Sequence, residues 1–442
     1  MMNKELLFNK GFHLSSLITD KFPRTGGKFL DITLKGILGN KRLFDSLEKR
    51  AHKSLKSVNN FDHILVASDL NIGDAVITQA GISFLRKLFP VAEIDYVIKR
   101  SAKILIEGNP EVSNLYPVYE GAPYPEDDDL RKLSAIAQGK PYGLVISFSP
   151  MIEDAVFGDR KVINYVSMAA KLVRNEKTGE GINNVVYQAY RFVRDVFEDS
   201  FPMNDDDIYR GVGVYLSDVA VELAQEFLSN FNHGDGERIV FFNPDASSDF
   251  TRIPFAQQID LLKKLARKQC TILLGSGHVK KFIEYRLVGS LSRDEKKNVI
   301  IVPASTPLDM YAALIDSADV FISGDTGPLH ISAAKKFQKN SGQSLRNKTA
   351  IYSVFGSTPP RIYGYDSEKP GFFPANQDAP SRIFIAESPC RNITCINKMA
   401  KTCKEVRCFQ SLDIDGIVAR VMNDLENVKS FRDSEQVEIL AK

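Results

Sequence analysis

The alternation of short, β-rich apolar runs with longer helical stretches is the feature that most constrains how this chain folds. From residue 61 onward, strand-like runs at 63–68 and 94–98 flank a helical stretch at 75–89. Such alternation is typical of βαβ units on a parallel sheet. Further strand-like runs follow at 115–119, 144–148, 239–242, 271–274, 299–302, 320–322 and 350–354.

The two series of runs predict two doubly wound α/β domains that face each other across a cleft. A chain of 442 residues is too long for one ordinary core and suits two domains with appendages. Polar and turn-forming clusters within 201–237 predict the interdomain connection. We expect a basic helical extension, an N-terminal acceptor-side domain, a C-terminal nucleotide-binding domain, and a C-terminal helix and tail, at 1–60, 61–220, 236–410 and 411–442.

Composition predicts a globular protein, and the N-terminus predicts a location in the cytoplasm. Hydrophobic residues make up 43% and charged residues 25%, and no apolar run approaches the ~18 residues of a membrane span. The N-terminus lacks the order of charges and apolar residues found in a secretory signal.

Charge is concentrated at the N-terminal end of the chain. Residues 1–60 carry 12 Lys/Arg and five Asp/Glu, a net +7, although the whole chain has a net charge of +2. Residues 27–58 also show helical apolar periodicity. Such a segment suits peripheral contact with the cytoplasmic face of an inner membrane or with a nucleic acid. A solvated helical extension is the alternative.

The first candidate site directly follows the first predicted strand, at Asn71, Gly73 and Asp74. Glycine permits a tight turn and the close approach of a ligand. A carboxylate at this edge of the sheet can take a proton from an acceptor hydroxyl as a general base. The alternative is that Asp74 merely caps the following helix.

The second candidate site follows the run at 320–322 and comprises Asp325, Thr326, Gly327 and His330. Pro328 suits the first turn of a helix, and Thr326 or Asp325 suits its cap. The free backbone amides of such a helix end bind an anionic diphosphate. A turn with an ordinary helix cap and a structural histidine is the alternative.

Two further loops are expected at the same cleft. Ser247 and Arg252 follow the run at 239–242, and Arg252 is a candidate cation for a leaving phosphate. Gly356 and Thr358 follow the run at 350–354, where they could contact a nucleoside or phosphate. Plain surface and connecting loops are the alternatives.

These stretches, in this order, resemble glycosyltransferase family 9, which contains the ADP-heptose:lipopolysaccharide heptosyltransferases. The resemblance rests on 72–74, on the Asp-Thr-Gly-x-x-His pattern at 325–330, and on the Phe-Gly-x-Thr pattern at 355–358. It extends over roughly residues 61–425. Members commonly place a lysine before an aromatic-Pro pair, whereas Thr251 stands here and Arg252 is its candidate substitute.

The resemblance implies a GT-B fold and an inverting transfer without a catalytic metal or other required cofactor. Asp74 is then the base, acceptor-side residues are Asn71 and Gly73, and donor-binding residues are Ser247, Arg252, Asp325, Thr326, Gly327, His330, Gly356 and Thr358. The implied partners are a nucleotide sugar, ADP-heptose foremost, and a lipid-linked glycan or protein, with no nucleic acid. The alternatives are an autotransporter heptosyltransferase, a nucleotide-sugar epimerase and a non-catalytic nucleotide-sugar-binding protein.

Acidic and cysteine clusters are the remaining candidates for metal ligands. The acidic runs 127–129 and 205–207 are interpreted as solvated loops. Cys390, Cys395, Cys403 and Cys408 have C-x4-C-x7-C-x4-C spacing, which suits a structural zinc or iron site without requiring one. Cys270 is predicted to be in the core. Residues 412–428 predict a helix, which in GT-B proteins commonly returns to the first domain.

Overall fold

A computed structural model defines most of the two sheets and their helices. The described residues are 61–68, 71–119, 126–148, 154–158, 162–164, 181–197, 208, 212–231, 238–268, 270–277, 280–356, 358–375, 378–386, 407–409 and 411–426. The predicted extension 1–60 and the acidic run 205–207 therefore lie outside the described residues.

Five parallel strands form the first sheet, in the hydrogen-bonded order β3-β2-β1-β4-β5. The strands are β1 (His63–Ala67), β2 (Glu93–Lys99), β3 (Asn114–Tyr119), β4 (Leu144–Ser147) and β5 (Val162–Asn164). Side chains on both faces of β1 are buried, as expected where helices cover both faces of a parallel sheet.

Six parallel strands form the second sheet, in the order β13-β12-β10-β7-β8-β9. The strands are β7 (Ile239–Asn243), β8 (Thr271–Gly275), β9 (Val299–Val302), β10 (Val320–Ser323), β12 (Ala350–Phe355) and β13 (Ser381–Ile385). Both sheets follow the doubly wound order, with the second and third strands on one side of the first and the fourth on the other. The predicted α/β architecture is confirmed.

Helices connect these strands along the chain. They are α1 (Ile72–Ile77), α2 (Gln79–Leu88), α3 (Lys103–Ile106), α4 (Asp127–Gly139), α5 (Val185–Val196), α6 (Asp218–Ser229), α7 (Phe255–Ala266), α8 (Ile283–Gly289), α9 (Arg293–Lys296), α10 (Leu308–Ser317), α11 (Gly327–Ala333), α12 (Pro360–Tyr363) and α13 (414–426). Short 3-10 helices cover Arg100–Ala102, Asp154–Phe157 and Arg407–Phe409.

The acidic run 127–129 forms the first turn of α4 and not a solvated loop. Asp129 accepts a hydrogen bond from the backbone N–H of Glu126 at 3.2 Å, which closes the N-terminal turn. Acidic residues suit this position because the positive end of the helix dipole stabilises their charge.

A small third sheet joins the two halves, and one of its strands lies within 201–237, where the interdomain connection was predicted. Strand β6 (Gly213–Leu216) pairs in parallel with β11 (Lys335–Gln338), and α6 follows β6 directly. The partner of β6 comes from the other half of the chain, so local sequence patterns gave no sign of the pairing. The proposed domain limits at 220 and 236 stay predictions.

Helix α13 confirms the predicted C-terminal helix, but it packs on the second sheet and not on the first domain. Ile417, Val421 and Leu425 are buried in the same core cluster as Val240 of β7. Arg382 of β13 donates to the Asp424 carboxylate at 2.9 and 3.1 Å. These apolar and charged contacts fix α13 to the second half.

Within the described ranges, no helix is both long and apolar enough to cross a bilayer.

Candidate functional site

The candidate site lies where the two doubly wound sheets change direction. Ligands of such sheets bind beyond the carboxyl ends of the strands at this switch point. The first sheet presents the end of β1 there, followed by Asn71, Gly73 and Asp74. The second sheet presents Asn243 at the end of β7 and Asp325 just after β10.

The structure brings the loops at 71–74 and 325–330 into direct contact. A Cβ built on Gly73 would lie 2.7 Å from His330 Cδ2 and 3.2 Å from the Gly327 Cα. A side chain larger than hydrogen at position 73 would therefore collide with α11. The glycine allows α1 and α11, from the two halves of the chain, to pack end against end.

Asp74 is half-buried in the first turn of α1. Its Oδ2 accepts a hydrogen bond from the backbone N–H of Asn71 at 3.0 Å. Asp74 therefore caps α1, as the alternative interpretation of the sequence predicted. It also holds the carboxylate at the junction of the two halves, where a base would have to lie.

Asp325 is the most perturbed carboxyl group near Asp74. It keeps some solvent contact, but the surrounding protein desolvates it and raises its pKa to about 7. A hydrogen bond from the Thr358 hydroxyl opposes this pKa shift, and the negative charge of Asp74 adds to it. Asp74 and Asp325 are thus close enough for their charges to interact.

His330 is buried on α11, and burial lowers its pKa to about 4. The imidazole is therefore neutral at pH 7. Its Nδ1 lies 2.8 Å from the hydroxyl of Tyr365, which fixes the orientation of the ring. Tyr365 is buried, and both burial and the charge of Asp325 raise its pKa.

Thr326 caps α11, as one of the sequence alternatives predicted. Its Oγ1 accepts a hydrogen bond from the Leu329 amide at 3.3 Å and lies 2.9 Å from Ser323 Oγ. Asn243 Nδ2 donates to Ser323 Oγ at 2.9 Å, and Tyr311 donates to Asn243 Oδ1 at 3.0 Å. These buried hydrogen bonds hold the 323–326 turn in place.

The side chain of Arg252 is held by residues of its own loop. Its guanidinium donates to the Asp245 carboxylate at 2.8 and 3.0 Å and to the Ala246 carbonyl at 2.6 Å, and it also pairs with Asp249. The side chain is only 7% exposed, whereas that of Asp249 is 68% exposed. Ser247, the other predicted donor contact in this loop, is exposed.

The two predicted donor contacts in the loop after β12 lie in different surroundings. Thr358 reaches the site, because its hydroxyl bonds to Asp325. Gly356 packs elsewhere: a Cβ there would lie 2.6 Å from the ring of Phe409. The structure thus explains the glycine at 356 by packing against Phe409, and its role in donor binding remains a prediction.

Two neighbours of the site, Tyr365 and Tyr311, were missed by sequence reasoning. Tyr365 orients His330, while Tyr311 holds Asn243, which supports the 323–326 turn. Asn243 begins the stretch after the run at 239–242, which was expected to line the cleft. Tyr365 and Tyr311 lie far from the motifs in sequence, so only the fold brings them together.

The cysteine cluster falls mostly outside the described residues. Cys390, Cys395 and Cys403 are not among them, and Cys408 is buried beside α13 in the second core. Cys270 is buried as predicted. Among the residues whose positions are described, no three His, Cys, Asp or Glu side chains form a metal-binding group. The structural zinc or iron therefore stays a prediction.

Comparison with known families identifies the central part of the chain. Residues 198–339 match the model of glycosyltransferase family 9 (heptosyltransferase). The match covers about a third of the chain, and its second half lies in the second sheet region that carries the candidate donor site. The family 9 segment contains the Asp-Thr-Gly-x-x-His pattern at 325–330, but not the first-sheet residues 71–74.

A curated relative agrees with this family 9 assignment over a shorter stretch. A Haemophilus influenzae protein named "Putative glycosyltransferase" is 32% identical over 117 residues. The match covers 26% of this chain and 33% of the relative, so the chain spans about a third of that relative's length.

Solved structures show that the family 9 segment is part of a larger shared fold. The glycosyl transferase family 9 structure from Veillonella parvula has a TM-score of 0.61 at 15% identity, covering 83% of this chain and 98% of that one. ADP-heptose lps heptosyltransferase II from E. coli has a TM-score of 0.57 at 15% identity, covering 83% and 99%. The chain therefore has the GT-B arrangement of these proteins.

Proposed function

We propose that this chain is an inverting glycosyltransferase that moves a sugar from a nucleotide donor to a hydroxyl acceptor. The contact between the Gly73-Asp74 turn and the start of α11 carries this proposal. It puts a carboxylate beside a helix start suited to a diphosphate, as a direct displacement requires. The family 9 match of residues 198–339 supports the reaction class.

In the proposed reaction, Asp74 takes the proton of the acceptor hydroxyl as the acceptor oxygen attacks the anomeric carbon. The bond from that carbon to the phosphate oxygen breaks, and its electron pair leaves with the nucleoside diphosphate. Backbone amides at Thr326 and Gly327 would stabilise the negative charge that develops on the leaving group. Attack opposite the leaving group inverts the configuration of the sugar.

Asp325 and His330 would shape the donor side of this reaction. Neutral His330, held by Tyr365, can donate or accept a hydrogen bond without adding charge. Asp325, with a pKa raised to about 7 by burial, is partly protonated at neutral pH and can donate to a phosphate or sugar oxygen. A protonated Asp325 also removes its repulsion of an anionic donor.

Arg252 would need one exchange of partner to neutralise a donor phosphate. Its contact with Asp245 is buried, but its partner Asp249 is exposed. A phosphate could replace the Asp249 carboxylate while Asp245 continues to hold the guanidinium. This exchange would keep Arg252 ordered and give the donor a charge-assisted contact.

We further propose ADP-heptose as the donor and a lipopolysaccharide core or related surface glycan as the acceptor. The support is the family 9 heptosyltransferase match, together with the fold shared with E. coli ADP-heptose lps heptosyltransferase II. The departure at Thr251, where family members commonly have lysine, makes the donor the first point to test.

A donor panel tests the proposed function. The full chain would be warmed with ADP-heptose and with ADP-, UDP- and GDP-linked hexoses, and the unfolding temperature recorded. Donor at 100 times its Kd stabilises the native state by about 2.7 kcal/mol, which gives a clear upward shift.

Product analysis by NMR then separates the possible reactions. Transfer to an acceptor with inverted anomeric configuration is expected. Retained configuration, or an epimerised nucleotide sugar formed without acceptor, would replace the proposed reaction by another. Donor binding without any turnover would indicate a binding protein.

A further inference from the structure

An exposed cluster of aromatic and basic side chains lies beyond the carboxyl end of β8. Phe282 is 66% exposed and Tyr285 is 60% exposed, and their ring centroids are 6.3 Å apart. Lys280, Lys281 and Arg286 are exposed beside them. We call these five residues the aromatic–basic patch.

The backbone holds Phe282 outward in an unusual conformation. Its φ of 64° is in the left-handed region, which bulky residues rarely occupy. The turn around it is anchored, because the Lys280 amide donates to the Asp245 carboxylate and the Gly277 amide donates to Glu284 at 3.0 Å. The structure therefore maintains both a strained backbone and an exposed phenyl ring.

Every exposed charge within 280–286 is positive. Glu284, the only acid in this stretch, is 2% exposed and faces inward. The guanidinium of Arg286 lies 4.5 Å from the centre of the Phe255 ring, which holds this cation at the edge of the patch. Two exposed rings beside three cations suit a surface that has an apolar interior and anionic head groups.

A second exposed apolar strip shows why the charge matters. On α6, Val219 is 62% exposed and Leu223 is 41% exposed. The charged residues of that helix are all acidic: Asp218, Glu222 and Glu226. An anionic membrane would repel this strip, so exposure of apolar residues alone does not select a lipid surface.

We propose that the aromatic–basic patch docks on an anionic phospholipid surface. The two rings would enter the headgroup region, where aromatic side chains are favoured, and the three cations would contact lipid phosphates. Strands β7, β8 and β10 are parallel, so the patch and the candidate site lie at the same edge of the sheet. Docking would hold that edge close to the bilayer. The patch proposal rests on exposure and charge and stands whether or not the chain transfers a sugar.

The absence of tryptophan from the sequence allows a direct test. Phe282→Trp in the full chain places a single tryptophan in the patch. Val219→Trp is the matched variant, with its single tryptophan in the exposed apolar strip of α6. Vesicles of phosphatidylglycerol and phosphatidylethanolamine should shift the emission of the first to shorter wavelength. Brominated acyl chains should quench it, whereas Val219→Trp should respond little.

Sedimentation with the same vesicles measures the strength of docking. The pair Lys280→Gln and Lys281→Gln should weaken binding by about thirtyfold, since each cation near an anionic surface contributes about 1 kcal/mol. Phe282→Asn with Tyr285→Gln should weaken it by about tenfold or more, because both rings leave the interface. Val219→Gln with Leu223→Gln is the control and should bind as the original chain does. Added salt should weaken binding.

Three outcomes would overturn the proposal. One is an unchanged tryptophan spectrum while the chain still sediments with vesicles, which would assign membrane contact to another segment. Another is equal binding to neutral phosphatidylcholine vesicles. The third is a blue shift that grows with protein concentration without lipid, which would make the patch a contact between two copies of the chain.

Discussion

At the scale of single residues, the candidate site depends on how the protein distributes charge between Asp74 and Asp325. Asp74 lies in the first turn of the helix that follows β1, and Asp325 lies in the loop that follows β10, so each sheet contributes one carboxyl group. Burial of Asp325 raises its pKa to about 7, with a further contribution from Asp74. A carboxyl group with a raised pKa beside a second carboxylate is a common arrangement in acid–base sites.

The raised pKa of Asp325 predicts how its contribution to stability changes with pH. The folded pKa of about 7 exceeds the ordinary value of 3.8, so the folded chain binds this proton more tightly than the unfolded chain does. The free energy of unfolding should therefore fall as pH rises from about 4 to 7. Because Asp325 keeps some solvent contact, we expect a loss of ~1–2 kcal/mol.

Asp325→Asn should remove this part of the pH dependence. Urea unfolding at pH 4.5 and 7.5 measures it, and the variant should lose less stability over this interval than the original chain. Asp294→Asn is the matched control, since that side chain is 87% exposed. An equal loss in the original chain and in Asp325→Asn would disprove the assigned pKa.

Sequence patterns indicated part of this residue-level arrangement. Asp74, Asp325 and Thr326 were recognisable because each lies next to a glycine at the end of an apolar strand. Tyr365 was not, because no local pattern marks a tyrosine that reaches a histidine 35 positions earlier. The ion pairs of Arg252 with Asp245 and Asp249 could not be predicted either. Only the packing of side chains in the fold decides which carboxylate a cation contacts.

At the scale of elements, the contact between α1 and α11 holds the two halves of the site together. Gly73 is needed there because a Cβ would lie 2.7 Å from His330 Cδ2. His330 is itself fixed by Tyr365 and by burial, so the ring has little room to move.

Gly73→Ala should therefore separate α1 from α11. We expect a loss of about 1–3 kcal/mol in the free energy of unfolding, the usual cost of overpacking, together with reduced turnover. Gly139→Ala at the end of α4 is the matched control, because no atom lies within 4 Å of the added methyl group. Equal stability and turnover for Gly73→Ala and the original chain would show that the contact is not required.

Elements formed by local patterns were predictable, and those formed by distant pairing were not. The buried runs of β7, β8 and β12 are β-rich and bounded by turns, so their positions match the predictions closely. Strand β11 is too polar to stand out and becomes a strand by pairing with β6. The apolar period of α13 predicted a helix, but not the Arg382–Asp424 contact that fixes its location.

At the scale of the whole molecule, two sheets of the same winding order present their switch points to each other. Each sheet alone would offer only one part of a site: a carboxylate on the first, and a capped helix start on the second. Contacts such as the ion pair between Glu107 and Lys339, at 2.7 Å, and the hydrogen bond from Asn184 to the Gly364 carbonyl, at 2.8 Å, join the halves around the site. The proposed transfer between two bound substrates depends on this arrangement.

Turnover and donor affinity of Asp74→Asn test that arrangement most directly. The amide keeps an oxygen that can accept the Asn71 N–H but cannot take a proton from the acceptor, so capping and base function are separated. We predict that turnover falls by about 10²–10⁴-fold, the usual contribution of a general base, while the Kd for the nucleotide sugar changes little. Full turnover in Asp74→Asn, with donor binding intact, would contradict the role of Asp74 and with it the proposed site.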